Sequence, residues 1–172
     1  MSLTVLVIAI SLIAILASRP QINNVTVSSP LLGNQAPNIS GLSLFSNKSI
    51  SLNSFKGKYV VINFFASWCS PCHVEEPELV AFNFEHYSQK NVAMLGITFD
   101  DTASNATGFL RSDGATWPAI EDRSGSIAIS YGVSEPPETF LISPEGIVLA
   151  KLIGPVTQKG LDSLISKSAS KN

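Results

Sequence analysis

Cys69 and Cys72 are the only cysteines of the chain, set three positions apart in the run Cys69-Ser70-Pro71-Cys72-His73. Four chemistries suit them. If the pair stands where a strand turns into a helix, the first sulfur meets the free N–H groups and positive dipole end of the helix. Both lower a thiol pKa and favour the thiolate, the attacking species. The second thiol, one turn along, can then close a mixed disulfide from within, the working unit of thiol–disulfide exchange. Cys-x-x-Cys-His is also the attachment pattern for c-type haem, with Met94 or His86 on offer as axial ligand. Cys69, Cys72, His73 and His86 have the ligand types of a metal site, without a second paired motif. A purely structural disulfide remains, although a bridge this short constrains little chain.

The surrounding elements decide how the pair is presented. Tyr59 to Phe65 (YVVINFF) is almost continuous in β-branched and aromatic residues, as a central strand covered on both faces requires. Pro71 then falls where the first turn of a helix tolerates proline. Val80, Phe84 and Tyr87, widened by Leu79 and Phe82, form the expected core stripe of that helix. Val92 to Phe99 reads as a second buried strand closed by Asp100-Asp101, which sets Met94 inside a strand and counts against haem, as does Trp68 in the turn before the pair. Ala103 to Arg111 is a helix candidate, and Lys48 to Leu52 a short edge strand. Glu138–Ile142 and Ile147–Ile153 are strands joined by the turn Ser143-Pro144-Glu145-Gly146, and Leu161, Leu164 and Ile165 face a last helix inward. Strand, helix, strand, helix, hairpin and helix make an α/β sandwich with a mixed sheet.

The chain has 172 residues, room for one domain and a short appendage. Hydrophobic residues at 45% against 14% charged exclude a disordered chain. A net charge of -2 with no basic run excludes nucleic acid as an expected partner. Much of the apolar excess sits in Leu3 to Ala17 (LTVLVIAISLIAILA), which carries no charge. We expect residues 1–18 to be a transmembrane signal anchor, at the short end of what spans a bilayer. A cleaved signal peptide, leaving the domain secreted, is the competing reading, against which Ile15-Leu16-Ala17 is a poor cleavage site. Both place the domain outside the cytoplasm, where disulfide chemistry proceeds. Residues 19–35 are expected to be a polar linker and 36–169 the folded domain.

The run from Gly57 to Cys72 (GKYVVINFFASWCSPC), with Glu75, Pro77 and Leu79, and again Gly132-Val133 to Pro137-Glu138-Thr139-Phe140-Leu141-Ile142, resembles the membrane-anchored TlpA/ResA/DsbE group. The resemblance covers about residues 33 to 167. It implies a thioredoxin-like fold, a central mixed β-sheet flanked by helices, behind an N-terminal anchor helix. It also implies a protein-disulfide reductase without cofactor or metal. Its substrates would be protein disulfides, the haem-site cysteines of apocytochrome c among them, and a membrane thiol donor would recharge it. General disulfide reduction or oxidation of secreted proteins is the alternative, and electron transfer through a c-type haem a further one. By the same resemblance Cys69 is the nucleophile and Cys72 the resolving thiol, while Ser70 and Pro71 tune the potential. Trp68 packs beside the disulfide, and Pro137, preceded by Pro136, is a cis-proline that receives substrate. His73 would favour the thiolate when charged. Glu75 matches an acidic residue of the group, and Asn63 stands where thioredoxin carries an aspartate. Glu76 and Glu78 read as solvated helix charges.

Overall fold

The strand Tyr59–Phe65 (β4) lies at the centre of the molecule and all seven of its residues are buried. The computed structural model describes residues 25–46 and 48–170, together with Val5, Val7, Ile8, Ile10 and Ser11. The other elements are β1 (Val25–Thr26), β2 (Ser40–Leu42), β3 (Ser49–Ser51), α1 (Ser70–His86), β5 (Val92–Thr98), α2 (Ala103–Ser112), β6 (Ala119–Ile120), α3 (Ser126–Tyr131), β7 (Glu138–Ile142), β8 (Val148–Ile153) and α4 (Gln158–Ala169). One six-stranded sheet runs β1-β8-β7-β4-β5-β6, and β2 pairs with β3 in a separate hairpin. β4 is parallel to β5 and antiparallel to β7, so the sheet is mixed as expected.

Side chains alternate along β4 and divide the core in two. Tyr59, Val61 and Phe65 pack with Leu79 and Phe82 of α1, Phe109 of α2, and Leu161 and Ile165 of α4. Val60, Ile62 and Phe64 pack with Ile127 and Tyr131 of α3, Phe140 of β7 and Ile39. Asn63 belongs to the α1 face by the same alternation, a polar residue in a row of apolar ones.

Two expectations need correction. The inner face of α1 is Cys72, Glu75, Glu76, Leu79 and Phe82, whereas Phe84 and Tyr87 are 85% and 81% exposed. The helix is thus turned so that two carboxylates, one of them the supposedly solvated Glu76, face inward and two aromatics face water. Leu79 and Phe82 of the expected stripe are buried and Val80 packs against the core, so hydrophobicity misled only at Phe84 and Tyr87. Secondly, the stretch read as a linker joins the sheet in its second half. Val25 and Thr26 pair with Ile153 and Leu152, Val27 N–H donates to the Lys151 carbonyl at 3.1 Å, and Gln35 bridges Ile147. Leu31 and Leu32 pack on the α3-side core. A two-residue strand in a polar run has no alternation by which to be seen.

Most of the expected anchor, residues 1–18, lies outside the described residues. Within it Val5, Val7, Ile8, Ile10 and Ser11 are helical and exposed. Among the described residues no helix is long and apolar enough to cross a membrane.

Candidate active site

β4 delivers the chain into the turn Ala66-Ser67-Trp68, and Cys69 caps the helix that follows. Its backbone is extended (φ -83°, ψ 103°) and its Sγ accepts the Cys72 N–H at 3.1 Å. Pro71 sits in the first turn, where a missing N–H costs no helical bond. Cys69 and Cys72 are joined in a disulfide of 2.05 Å, with Cα atoms 5.3 Å apart. Both are buried, and Ser70 and Pro71 between them are exposed. On reduction the Cys69 sulfur stays at a helix N-terminus, the setting that stabilises a thiolate.

The loop after β5 braces this turn from one side. Asp101 Oδ2 accepts the Ser67 N–H at 2.7 Å, and the Trp68 indole N–H donates to the Asp100 carbonyl at 2.9 Å. Asp100 adopts φ 45°, a left-handed conformation that a short polar residue tolerates. Trp68 keeps 54% of its surface exposed beside the disulfide. His73 Nε2 lies 2.9 Å from the Ser67 carbonyl, and its ring meets Phe109 edge-on with centroids 4.6 Å apart.

From the other side comes the loop before β7. The Pro136–Pro137 bond is cis, and the Pro136 carbonyl oxygen lies 3.5 Å from Cys69 Sγ. Gly154 N–H donates to the Pro137 carbonyl at 3.0 Å. The rest of the loop hangs on a buried ion pair, Lys151 Nζ to Glu138 Oε2 at 2.7 Å. Glu138 Oε1 accepts the Ser134 N–H at 3.0 Å, and Lys151 donates to the Gly132 carbonyl at 2.7 Å.

Beneath the disulfide, Glu75 follows Cys72 by three residues on the buried face of α1 and is 1% exposed. Its Oε1 accepts from the Asn63 amide at 2.8 Å and its Oε2 from the Val156 N–H at 2.9 Å. The Asn63 amide also donates to Thr139 Oγ1 at 3.1 Å. Burial outweighs the two hydrogen bonds to the carboxylate and pushes Glu75 up to about 7. Glu76, also 1% exposed, is pushed up to about 8, by burial first and then by the charges of Glu75 and Asp113. Its Oε1 has no hydrogen-bond partner.

The structure therefore brings together Trp68, Cys69, Ser70, Pro71, Cys72, Glu75, Pro136 and Pro137. His73 is adjacent and engaged with Ser67. His86 is not part of the group: it stands fourteen residues after Cys72, about 20 Å along the helix, and pairs with Asp162 at 2.7 Å. Met94 is buried in β5. Neither the haem set nor the four-ligand set is assembled, and among the described residues no group of three or more His, Cys, Asp or Glu is placed to hold a metal. Glu138, Lys151, Thr139 and Val156 were missed from the sequence. Glu138 and Thr139 stood in the resemblance run Pro137–Ile142 with no role read into them, and Lys151 left a signal as a lone charge in the apolar run Val148–Ile153.

Comparison with known proteins agrees with this arrangement. The AhpC/TSA family model matches residues 32–151. The thiol-disulfide oxidoreductase ResA of Bacillus thuringiensis subsp. konkukian is 32% identical over 136 residues, 79% of this chain and 78% of that one. A thiol:disulfide interchange protein DsbE homolog of Paracoccus denitrificans is 31% identical over 133 residues, 76% of this chain and 71% of that one. The thioredoxin domain of a Bacteroides vulgatus thiol-disulfide oxidoreductase superposes with a TM-score of 0.70 at 28% identity, covering 81% of this chain and 98% of that domain. The thioredoxin-like fold implied by the resemblance is the fold observed.

Proposed function

The chain belongs to the AhpC/TSA family and is a thiol–disulfide oxidoreductase of the ResA/DsbE type, and from that premise we propose that it reduces protein disulfides outside the cytoplasm. The observation that carries the chemistry is a buried Cys69–Cys72 disulfide at a helix N-terminus, faced by Pro136 and underlain by Glu75. In the reduced enzyme the Cys69 thiolate attacks one sulfur of a substrate disulfide. A mixed disulfide forms and the other substrate sulfur leaves as a thiolate. Cys72, deprotonated, then attacks Cys69 Sγ and expels the second substrate sulfur. The substrate gains two electrons and two protons, and the enzyme ends as the disulfide seen here. Glu75, one helical turn from Cys72 and poised near neutrality, receives the Cys72 proton as that thiol becomes a nucleophile. Trp68 and the Pro136–Pro137 bond flank the sulfur as the surface on which substrate lies, Ser70 and Pro71 set the potential from between the sulfurs, and His73 steadies the turn through Ser67.

The finer reading is that apocytochrome c haem-site cysteines are substrates, that residues 1–18 anchor the domain, and that a thiol donor of the same membrane recharges it. Its support is the resemblance of the Pro137–Ile142 run and of the Cys69 region to the TlpA/ResA/DsbE group. The test is the reduction potential of the Cys69/Cys72 couple, with the chain equilibrated in graded thiol redox buffers and its thiols trapped and counted by mass. A couple well below the glutathione range supports a reductase. A strongly oxidising couple would keep the enzyme class and turn the function into disulfide donation. An oxidised Cys-x-x-Cys-His peptide should be reduced by the wild type and left oxidised by Cys69→Ser.

A further inference from the structure

β1 fixes where the chain enters the domain. Val25 pairs with Ile153, Ile153 with Glu138, and Glu138 with Phe64. One row of residues thus crosses four strands, from the point of entry to the end of β4 that carries the Cys69–Cys72 turn. The row spans three strand spacings, about 14 Å. From Val25 the chain runs antiparallel to β8 and away from that end, reaching Val148 through Gly33 and Ile147 through Gln35. The entry point is therefore at the disulfide pole. Residues 19–24 separate Ser18 from Val25, and fully extended they reach about 25 Å. We propose that the pole carrying Cys69, Trp68 and Pro136 faces the surface of the membrane that holds residues 1–18. This rests on the anchor reading above. Trp68 and Ile153, 54% and 45% exposed, give that pole apolar side chains of the kind an interface accommodates. The opposite pole, at the N-terminal ends of β4 and β5, carries Lys56, Lys58 and Lys90, which anionic lipid would attract. It lies farther from the entry point by the length of β4, about 23 Å, nearly the whole reach of the tether. A partner then meets the disulfide from the bilayer side, as a dithiol presented by a protein of the same membrane does.

The full chain is placed, isotope-labelled, in phosphatidylcholine nanodiscs containing a lipid with a nitroxide on its headgroup, and amide signals are compared. The amides of Ser134 and Gly154, at the disulfide pole, should lose intensity several-fold more than those of Gly57 and Gly146 at the opposite pole. A flexible spacer of thirty Gly and Ser residues inserted after Pro20 should abolish the difference. Equal broadening at both poles in the wild type, or stronger broadening at Gly57 and Gly146, overturns the orientation and leaves the anchor standing. A chain that does not co-purify with the discs overturns the anchor reading, and this inference with it.

Discussion

Glu75 and Glu76 are adjacent carboxyl groups in the same buried helix face, yet they are held differently, and that difference separates their expected effects. Glu75 accepts two hydrogen bonds and underlies the disulfide, whereas Glu76 has one oxygen without a partner. Glu75→Gln should slow thiol exchange several-fold and remove a step near pH 7 from its pH–rate profile. An unchanged profile would reduce Glu75 to a structural link between Asn63 and Val156. Glu76 matters to stability. Both groups have folded pKa values raised above the ordinary 4.5, so between that value and about 7 or 8 the folded chain binds more protons than the unfolded one. Their contribution is fully present below pH 4.5 and is lost as pH rises through about 7 and then about 8. Thermal unfolding of the oxidised chain should therefore give a Tm that falls from pH 5 to pH 8.5. Glu76→Gln should flatten that fall, and an equally steep fall in the variant would place the titration elsewhere.

Among the elements, the loop from Gly132 to Pro137 depends on partners that lie outside it. Lys151 of β8 and Glu138 of β7 hold Gly132 and Ser134 through one buried ion pair. Lys151→Met strands the Glu138 carboxylate and should cost about 3–5 kcal/mol, measured by denaturant unfolding. The double variant with Glu138→Gln should recover part of that loss, and additive single and double effects would mean that the pair is not coupled. Gly41 of β2 gives a steric counterpart: a Cβ there would come within 2.4 Å of Ile120 Cγ2. Gly41→Ala should destabilise by about 1–3 kcal/mol. What the sequence disclosed at this scale followed from burial on both faces. Tyr59–Phe65 was legible to the residue because a doubly covered strand is apolar at nearly every position, Asn63 being the exception here. The face of α1 was legible only in part: Leu79 and Phe82 face inward as expected, but the inner stripe also carries two carboxylates and the outer one Phe84 and Tyr87. The cysteines, Glu75 and the two prolines could be found from motif and resemblance. The pair that holds the proline loop could not, since Glu138 and Lys151 meet only through the register of β7 and β8.

For the whole molecule, redox potential and stability are two readings of one thermodynamic cycle. A fold that lowers the potential of its disulfide below that of the unfolded chain is itself more stable oxidised than reduced, by about 1.4 kcal/mol for each 30 mV. A reductase is thus expected to unfold at higher denaturant with Cys69–Cys72 closed than with both thiols free. The reverse order would identify a disulfide donor without any substrate being added. The sheet that carries this couple ends at both sides in strands of two residues, β1 and β6. β6 is further covered on its outer side, where Leu44 N–H donates to Ala119 and Glu121 N–H to Leu42. An unpaired strand of ordinary length is a template on which another extended chain adds, the first step of co-aggregation. On the function proposed above, the substrates include such extended chains. Among the described residues the edges are this short and partly covered and present little backbone for such a chain to join, so on the proposed function a substrate would leave the disulfide once its own sulfurs are free.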